Sequence, residues 1–331
     1  MTTRQLGRTA LTVSRLGLGL AALGRPGYIN LGHAGDLQHD HAVAMMEARC
    51  HEVLDAAWAL GVRYFDAARS YGKAEEFLAH WLTARGLAPD AVTVGSKWGY
   101  TYTANWQVQA EHHEVKDHSL PVLRRQTAES QQLLGSQLDL YQIHSATLDS
   151  GVLDNADVLH ELVRLRAGGL KIGLSLSGPQ QADTLRRALA VQIDGVRVFD
   201  CVQATWNVLE PSAGSALQEA HAVGLGVIVK EALANGRLTA RNVDLAFGER
   251  RRVLEATAAR LQTTLDALAL AAVLAQPWVD VVLSGASTVE QLRSNAAALH
   301  VAWDDAAGDA VASLAETPRD YWAARSRLPW N

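Results

Sequence analysis

The chain has 331 residues, 48% of them hydrophobic and 20% charged, with a formal net charge of −5. This is ordinary globular composition, and the small negative charge excludes the strongly basic face of a nucleic-acid binder. Two cysteines, Cys50 and Cys201, are too few for a disulfide framework or a cysteine-rich metal site, which suits a reducing cytoplasm. The first twenty residues carry Arg15 and several glycines where a signal peptide needs a long apolar core. The longest apolar runs, such as Leu268 to Ala275, fall far short of the roughly 20 residues that cross a bilayer, so neither export nor membrane insertion is expected.

In chain order, Arg4–Gly7 and Thr12–Val13 predict a hairpin placed to cap the bottom of a barrel. Predicted strands and helices then alternate. Ser14–Leu20 is a strand and Val43–Leu60 a helix; Val62–Asp66 is followed by Ala74–Arg85, and Val92–Lys97 by Leu120–Leu134. Leu138–His144 precedes the helix Asp157–Arg166, Leu170–Ser175 precedes Gln180–Val191, and Asp200–Trp206 precedes Ser215–Val223. Gly226–Glu231 leads into a long helix, Glu249–Ala275, and Val279–Ser284 into Val289–Leu299. Glycines just past the first three helices, Gly61, Gly86 and Gly135, are ordinary helix stops. Eight βα repeats are most simply closed into a (β/α)8 TIM barrel spanning 1–331 as one domain. A doubly wound sheet would want G-x-G-x-x-G after its first strand. Here Gly17 and Gly19 are followed by Gly24, five positions on rather than three, so these glycines read as a strand end and turn. Tyr100–Ser119 lacks a pattern and reads as a long loop over one barrel face.

Catalytic groups of such barrels sit at the carboxyl ends of the strands. The second predicted strand ends at Asp66, with Tyr71 in the loop behind it; the third ends at Lys97 and the fourth at His144. Taken singly, a strand-end lysine is usually a solvated or capping group and a histidine after an apolar strand a satisfied structural one. Together the four types form a proton-transfer set. A phenol, with an ordinary pKa of about 10, needs a neighbouring cation to become a useful acid, and Lys97 is placed to supply it. Asp66 is expected to hold that ammonium against Tyr71, and His144 to donate to a substrate oxygen while hydride arrives at carbon.

Over nearly its whole length the sequence resembles the aldo-keto reductases. The opening Leu6-Gly7-Arg8-Thr9 with Val13 to Gly19, the stretch Phe65-Asp66-Ala67-Ala68-Arg69-Ser70-Tyr71-Gly72, the strand Leu140 to His144, and Gly285-Ala286-Ser287 with Glu290-Gln291-Leu292 and Asn295 carry the likeness. The resemblance implies a catalytic set of Asp66, Tyr71, Lys97 and His144, and a nicotinamide dinucleotide lying extended across the barrel mouth. It implies that Ser175 and Gln203 hold the carboxamide and that Lys230 stands beside the nicotinamide ring. Ala232, Leu233, Asn235 and Gly236 would hold the pyrophosphate, and Ser287, Thr288, Gln291 and Asn295 the adenosine end.

The sequence departs from the family pattern in three places. Leu176 follows Ser175 where an asparagine is usual. Lys230 and Glu231 stand where an aromatic or similar residue commonly stacks on the nicotinamide. Gln291 replaces the arginine with which many members grip the adenosine 2′-phosphate, leaving Thr288, Asn295 and Arg293 to serve. NADP(H) is nevertheless the expected cofactor on the resemblance, with NAD(H) as the alternative.

Trp98, Tyr100, Tyr102, Trp106 and Trp206 either wall a substrate pocket or pack loops against the rim. His112, His113 and His118 lack a regular ligand frame, so no metal is expected. Tyr321-Trp322 is expected to close over the mouth. The partner implied is a small carbonyl or alcohol, with homo-oligomerisation left open. Two enzymatic readings arise, a carbonyl reductase or alcohol dehydrogenase and an oxidative sugar or hemiacetal dehydrogenase. A third reading is a cofactor-binding regulatory subunit resembling channel β subunits, with little catalysis of its own.

Overall fold

The computed structural model describes residues 1–331. Eight short parallel strands form its centre: β1 (Leu16–Gly19), β2 (Tyr64–Asp66), β3 (Thr93–Trp98), β4 (Leu138–Ala146), β5 (Lys171–Leu176), β6 (Cys201–Thr205), β7 (Gly226–Lys230) and β8 (Val281–Ser284). They pair in sequence order, and β8 returns to β1 through Val282↔Leu16 and Ser284↔Leu18, so the sheet closes into a barrel without a free edge. Their residues are almost all buried, as expected of strands covered on both faces.

Around the barrel run α1 (Val43–Ala59), α2 (Ala74–Ala84), α3 (Leu120–Leu134), α4 (Ala156–Ala167), α5 (Gln181–Ala190), α6 (Gly214–Ala222), α7 (Gly248–Arg260), α8 (Leu265–Leu274) and α9 (Val289–Ala296), followed by α10 (Asp305–Ala312) and α11 (Pro318–Ser326). Side-chain caps start several of them: Asn155 accepts from Val158 N, Thr288 from Gln291 N, and Asp304 from Ala307 N. One cluster of 64 buried residues fills the shell between strands and helices, and a smaller one, with Leu6, Val13, Tyr64, Leu140, Cys201 and Ile228, plugs the bottom of the barrel.

The N-terminal hairpin, Thr3–Gln5 paired with Thr12–Ser14, caps that bottom. Its turn is held by Gly7 N to Asp280 Oδ2 (3.2 Å) and Arg8 N to Gly224 O (3.0 Å). Gly7 has φ +51, and a Cβ there would lie 2.3 Å from Gly226 N, so backbone meets backbone and only glycine fits.

Two expectations are corrected. The single long helix over Glu249–Ala275 is two, α7 and α8. Gln262 adopts the left-handed conformation (φ 53), and Thr264 accepts from Ala267 N to begin a new helix, because a β-branched hydroxyl residue serves better as a cap than as an interior residue. The stretch Tyr100–Ser119 is no plain loop, since Tyr100–Tyr102 pairs antiparallel with Glu114–Lys116. No helix is long and apolar enough to cross a membrane.

Candidate active site

Asp66 and Lys97 end neighbouring strands, and Tyr71 stands on the loop just past β2. Two glycines set that loop. A Cβ on Gly24, in the loop after β1, would meet Tyr71 O at 2.3 Å, and one on Gly72 (φ +58) would meet Gly24 O at 2.4 Å, so the two loops touch backbone to backbone. Lys73 N to Gly24 O (2.7 Å) ties them.

Lys97 is fully buried. Its Nζ donates to Asp66 Oδ2 through a short contact, to Ala67 O at 2.9 Å and to Tyr71 Oη at 3.4 Å. The other carboxylate oxygen of Asp66 accepts from Gln203 Nε2 (2.8 Å) and Tyr64 Oη (3.1 Å), which fixes the carboxylate from both sides. His144 meets Tyr71 edge to face, with ring centres 5.4 Å apart. A bulge at the end of β4 re-aims the chain there: Ser145 is left-handed (φ 54), the register slips between Ile143 and Ala146, and Ser145 N donates to Ser175 Oγ at 2.8 Å.

The electrostatics differ from the expectation. Burial pushes the Tyr71 phenol upward and Asp66 pushes it further, while the principal opposing cation is Arg25, whose guanidinium carbon lies 5.1 Å from the ring centre. Lys97 stands at hydrogen-bond distance from the phenol oxygen, with Asp66 engaging the same ammonium. Burial, then the positive charges of Lys97, Arg25 and Lys230, hold His144 well below its ordinary range, so the ring is neutral.

These groups open on a cavity of about 420 Å³. At one end lie Asp66, Tyr71, His144 and Gln203. Its wall also includes Lys230 to Leu233, Asn235, Gly236, Arg241, Gln291 and Asn295. Along the wall, the Ala232 and Leu233 amides carry no hydrogen bond within the chain, and Asn235 Oδ1 is buried without a partner. Lys230 Nζ donates to Thr205 Oγ1 (2.9 Å) and stands 3.7 Å from Glu231, but the Glu231 carboxylate is gripped by Arg325 Nε at 2.9 and 3.0 Å. Burial lowers Lys230 to about 8.

The other residues expected at the site are placed as follows. Ser175 lies behind Ser145. Ser287 and Thr288 stand at the start of α9, with Thr288 serving as its cap. Tyr100 packs its ring on His144 at 5.0 Å. Trp98 and Trp206 are buried and do not line this cavity; Trp98 packs against His118 and Trp206 against Trp278. The three loop histidines diverge: His112 is exposed, His113 stacks on Trp330 at 3.8 Å, and His118 bonds His144 O at 2.9 Å.

Sequence reasoning missed Arg25, Tyr28, Glu114, Arg325 and Trp330, all of which line the cavity. Arg25 was within reach, since it follows the first strand as Tyr71 follows the second. Glu114 and Trp330 had no local signal, because one arrives on a hairpin and the other on the tail. That tail, rather than Tyr321-Trp322 itself, closes over the mouth: Asn331 and Tyr28 exchange backbone hydrogen bonds at 3.1 Å, and Trp330 reaches the cavity.

A closed (β/α)8 barrel gathers an aspartate, a tyrosine, a lysine and a histidine beside one cavity at the carboxyl ends of its strands, the place where barrels of this class carry their functional groups. Residues 15–316 match the Aldo/keto reductase family, and the chain belongs to it. It is 27% identical over 337 residues to the NADH-specific methylglyoxal reductase of Escherichia coli (strain K12), covering 94% of this chain and 97% of that protein. It is 30% identical to the pyridoxal 4-dehydrogenase of Microbacterium luteolum over 191 residues, about half of each chain (51% and 49%). Its fold matches that of the aldo-keto reductase AKR11C1 from Bacillus halodurans in its holo form, with a TM-score of 0.72, 22% identity, and 96% and 97% of the two chains covered.

Proposed function

We propose that the chain is a nicotinamide-dependent oxidoreductase acting on a small polar aldehyde, ketone or sugar, with Tyr71 moving the proton. The observation that carries this reading is the Tyr71 hydroxyl 3.4 Å from Lys97 Nζ, with Asp66 on the far side of the ammonium and the His144 ring beside it. A bound dinucleotide supplies hydride in one direction and accepts it in the other. The residues fit such a group: the cavity holds about 420 Å³, the free Ala232 and Leu233 amides suit anionic oxygens, and Asn235 Oδ1 is buried without a donor.

Because its pKa is raised, Tyr71 keeps its proton at neutral pH and serves as the acid in carbonyl reduction. Lys97 acts on the phenolate left after transfer, as a fixed cation at hydrogen-bond distance, and Asp66 holds that cation in place. The Nδ1 of His144 faces Ser70 Oγ at 3.4 Å. A neutral ring whose Nδ1 accepts from Ser70 carries its proton on Nε2 and donates it to the substrate oxygen. Arg25, Tyr28, Glu114 and Trp330 surround the space beyond Tyr71 with charged groups and flat faces, which suits polar, ring-bearing or hydroxylated carbonyl compounds.

The test is initial-rate turnover with both reduced dinucleotides against methylglyoxal, pyridoxal and simple aldoses, and with both oxidised forms against the matching alcohols. Turnover that vanishes in Tyr71→Phe supports the reading. No turnover by the native chain in either direction would sink it.

A further inference from the structure

Behind Arg241 and Gln291, which line the cavity, one carboxylate bears on which dinucleotide can bind. Asp36 sits on the helical turn His33–Asp36, in the long loop after β1, and reaches across to two other segments. Its Oδ2 accepts from Ser287 Oγ at 2.8 Å and from Arg241 Nη1 at 2.7 Å, and its Oδ1 is held by Arg241 Nη2 through a short contact. Its side chain is only 8% exposed. Burial pushes this carboxyl up, but hydrogen bonds from Arg241, Gln291 and Ser287 more than offset that, so it is ionised at neutral pH.

The side-chain donors of Ser287, Asn295 and Arg241 at this corner are already used within the chain. Ser287 has one hydroxyl proton, given to Asp36, with Gln291 Oε1 also within 3.2 Å. Its amide donates to Gln291 Oε1 at 2.9 Å. The third amide of α9 is capped, since Gln291 N donates to Thr288 Oγ1 at 3.3 Å. Asn295 Nδ2 donates to Ser284 Oγ at 2.8 Å. Arg241, the cation on the cavity wall here, forms a two-pronged pair with Asp36. Arg293 is exposed and two positions from Gln291, a spacing that puts it on a different face of α9. A phosphate arriving at Ser287 would meet a carboxylate within contact distance and no uncommitted guanidinium. A ribose bearing only hydroxyls brings donors, which the remaining lone pairs of Asp36 and the Gln291 amide oxygen can accept.

We propose that Asp36 sets dinucleotide choice, making this an NAD(H) enzyme that turns away the 2′-phosphate of NADP(H), contrary to the preference expected from family resemblance. The assignment rests on the oxidoreductase reading above, with the adenosine end of the dinucleotide at Ser287–Asn295. It also implies that Gln291→Arg alone adds little affinity for NADPH, because Asp36 would take the new guanidinium.

Titration of the full chain with NADH and NADPH, followed by quenching of tryptophan emission, tests this without any substrate. The native chain is expected to bind NADH more tightly by roughly tenfold, the order expected of a like-charge contact that is largely offset by the paired Arg241. Asp36→Ser removes the charge and frees both Ser287 and Arg241, so NADPH affinity should rise about tenfold while NADH affinity falls by the roughly few-fold that one ribose hydroxyl bond contributes. Arg241→Met leaves the carboxylate without its cation and should widen the preference for NADH. Equal binding of the two by the native chain, or equal weakening of both in the two variants as a merely structural role would give, overturns the assignment while leaving the oxidoreductase reading intact. If neither dinucleotide binds the native chain, both fall together.

Discussion

The two ends of the cavity are each organised by a carboxylate gripping a cation, yet the pairs differ in kind. Asp66 and Lys97 are 2% and 0% exposed in their side chains; Asp36 and Arg241 are 8% and 40%. The inner pair has no water to fall back on, and each of its atoms is satisfied by Ala67 O, Gln203, Tyr64 or Tyr71. The outer pair leans on solvent through its arginine. Chemistry that must hold a charge at a fixed place requires the first arrangement, and discrimination between ligands requires only the second.

The sharpest way to break this comparison is to remove one partner of the inner pair. Lys97→Met strands a buried carboxylate, and breaking such a pair typically costs about 3–5 kcal/mol; chemical denaturation should show that loss, together with loss of nearly all turnover. A native-like unfolding midpoint would mean that the pair is not truly sealed from water. Next in size, Tyr71→Phe should cut kcat by about 10²–10⁴-fold, the usual yield of a positioned acid, with dinucleotide affinity nearly unchanged by fluorescence titration. Equal rates in the two proteins would remove Tyr71 from the reaction.

A third measurement treats both ends together through their buried histidines. Burial lowers His118, beside His144, to about 4, and does the same to His33, near Asp36. The unfolded chain takes up these protons near pH 6.5 and the folded chain only near pH 4, so between those values the unfolded state binds more protons. The stability these groups contribute is therefore intact above pH 6.5 and lost as pH falls toward 4. Thermal midpoints recorded over that window should drop, and the drop should be shallower in His118→Phe and in His33→Phe; parallel curves in all three proteins would refute the shared cause. The smallest effect belongs to the outer pair: Arg241→Met should lower stability by no more than about 1 kcal/mol, the usual worth of a partly exposed ion pair. A loss comparable to that of Lys97→Met would erase the contrast between the two ends.

Much of this molecule was legible in its residues. The alternation of β-branched runs with amphipathic segments announced eight βα units, since a strand covered on both faces and a helix covered on one leave different periods in the chain. Asp66, Tyr71, Lys97 and His144 could be named because barrel topology sends every strand's carboxyl end to the same mouth, so a position along the chain becomes a position in space. Period could not reveal the break at Gln262–Thr264, where a left-handed residue and a new cap interrupt an unbroken apolar pattern.

Only the tertiary structure could decide how charges meet across segments distant in sequence. Asp36 finds Ser287 across 251 positions, Arg325 takes Glu231 away from Lys230 across 94, and Arg25 rather than Lys97 is the cation that most opposes the rise of the Tyr71 phenol. The physical reason is that hydrophobic period records which face of an element is covered, whereas Coulomb energy depends on separation and burial, and neither is written in the local order of residues.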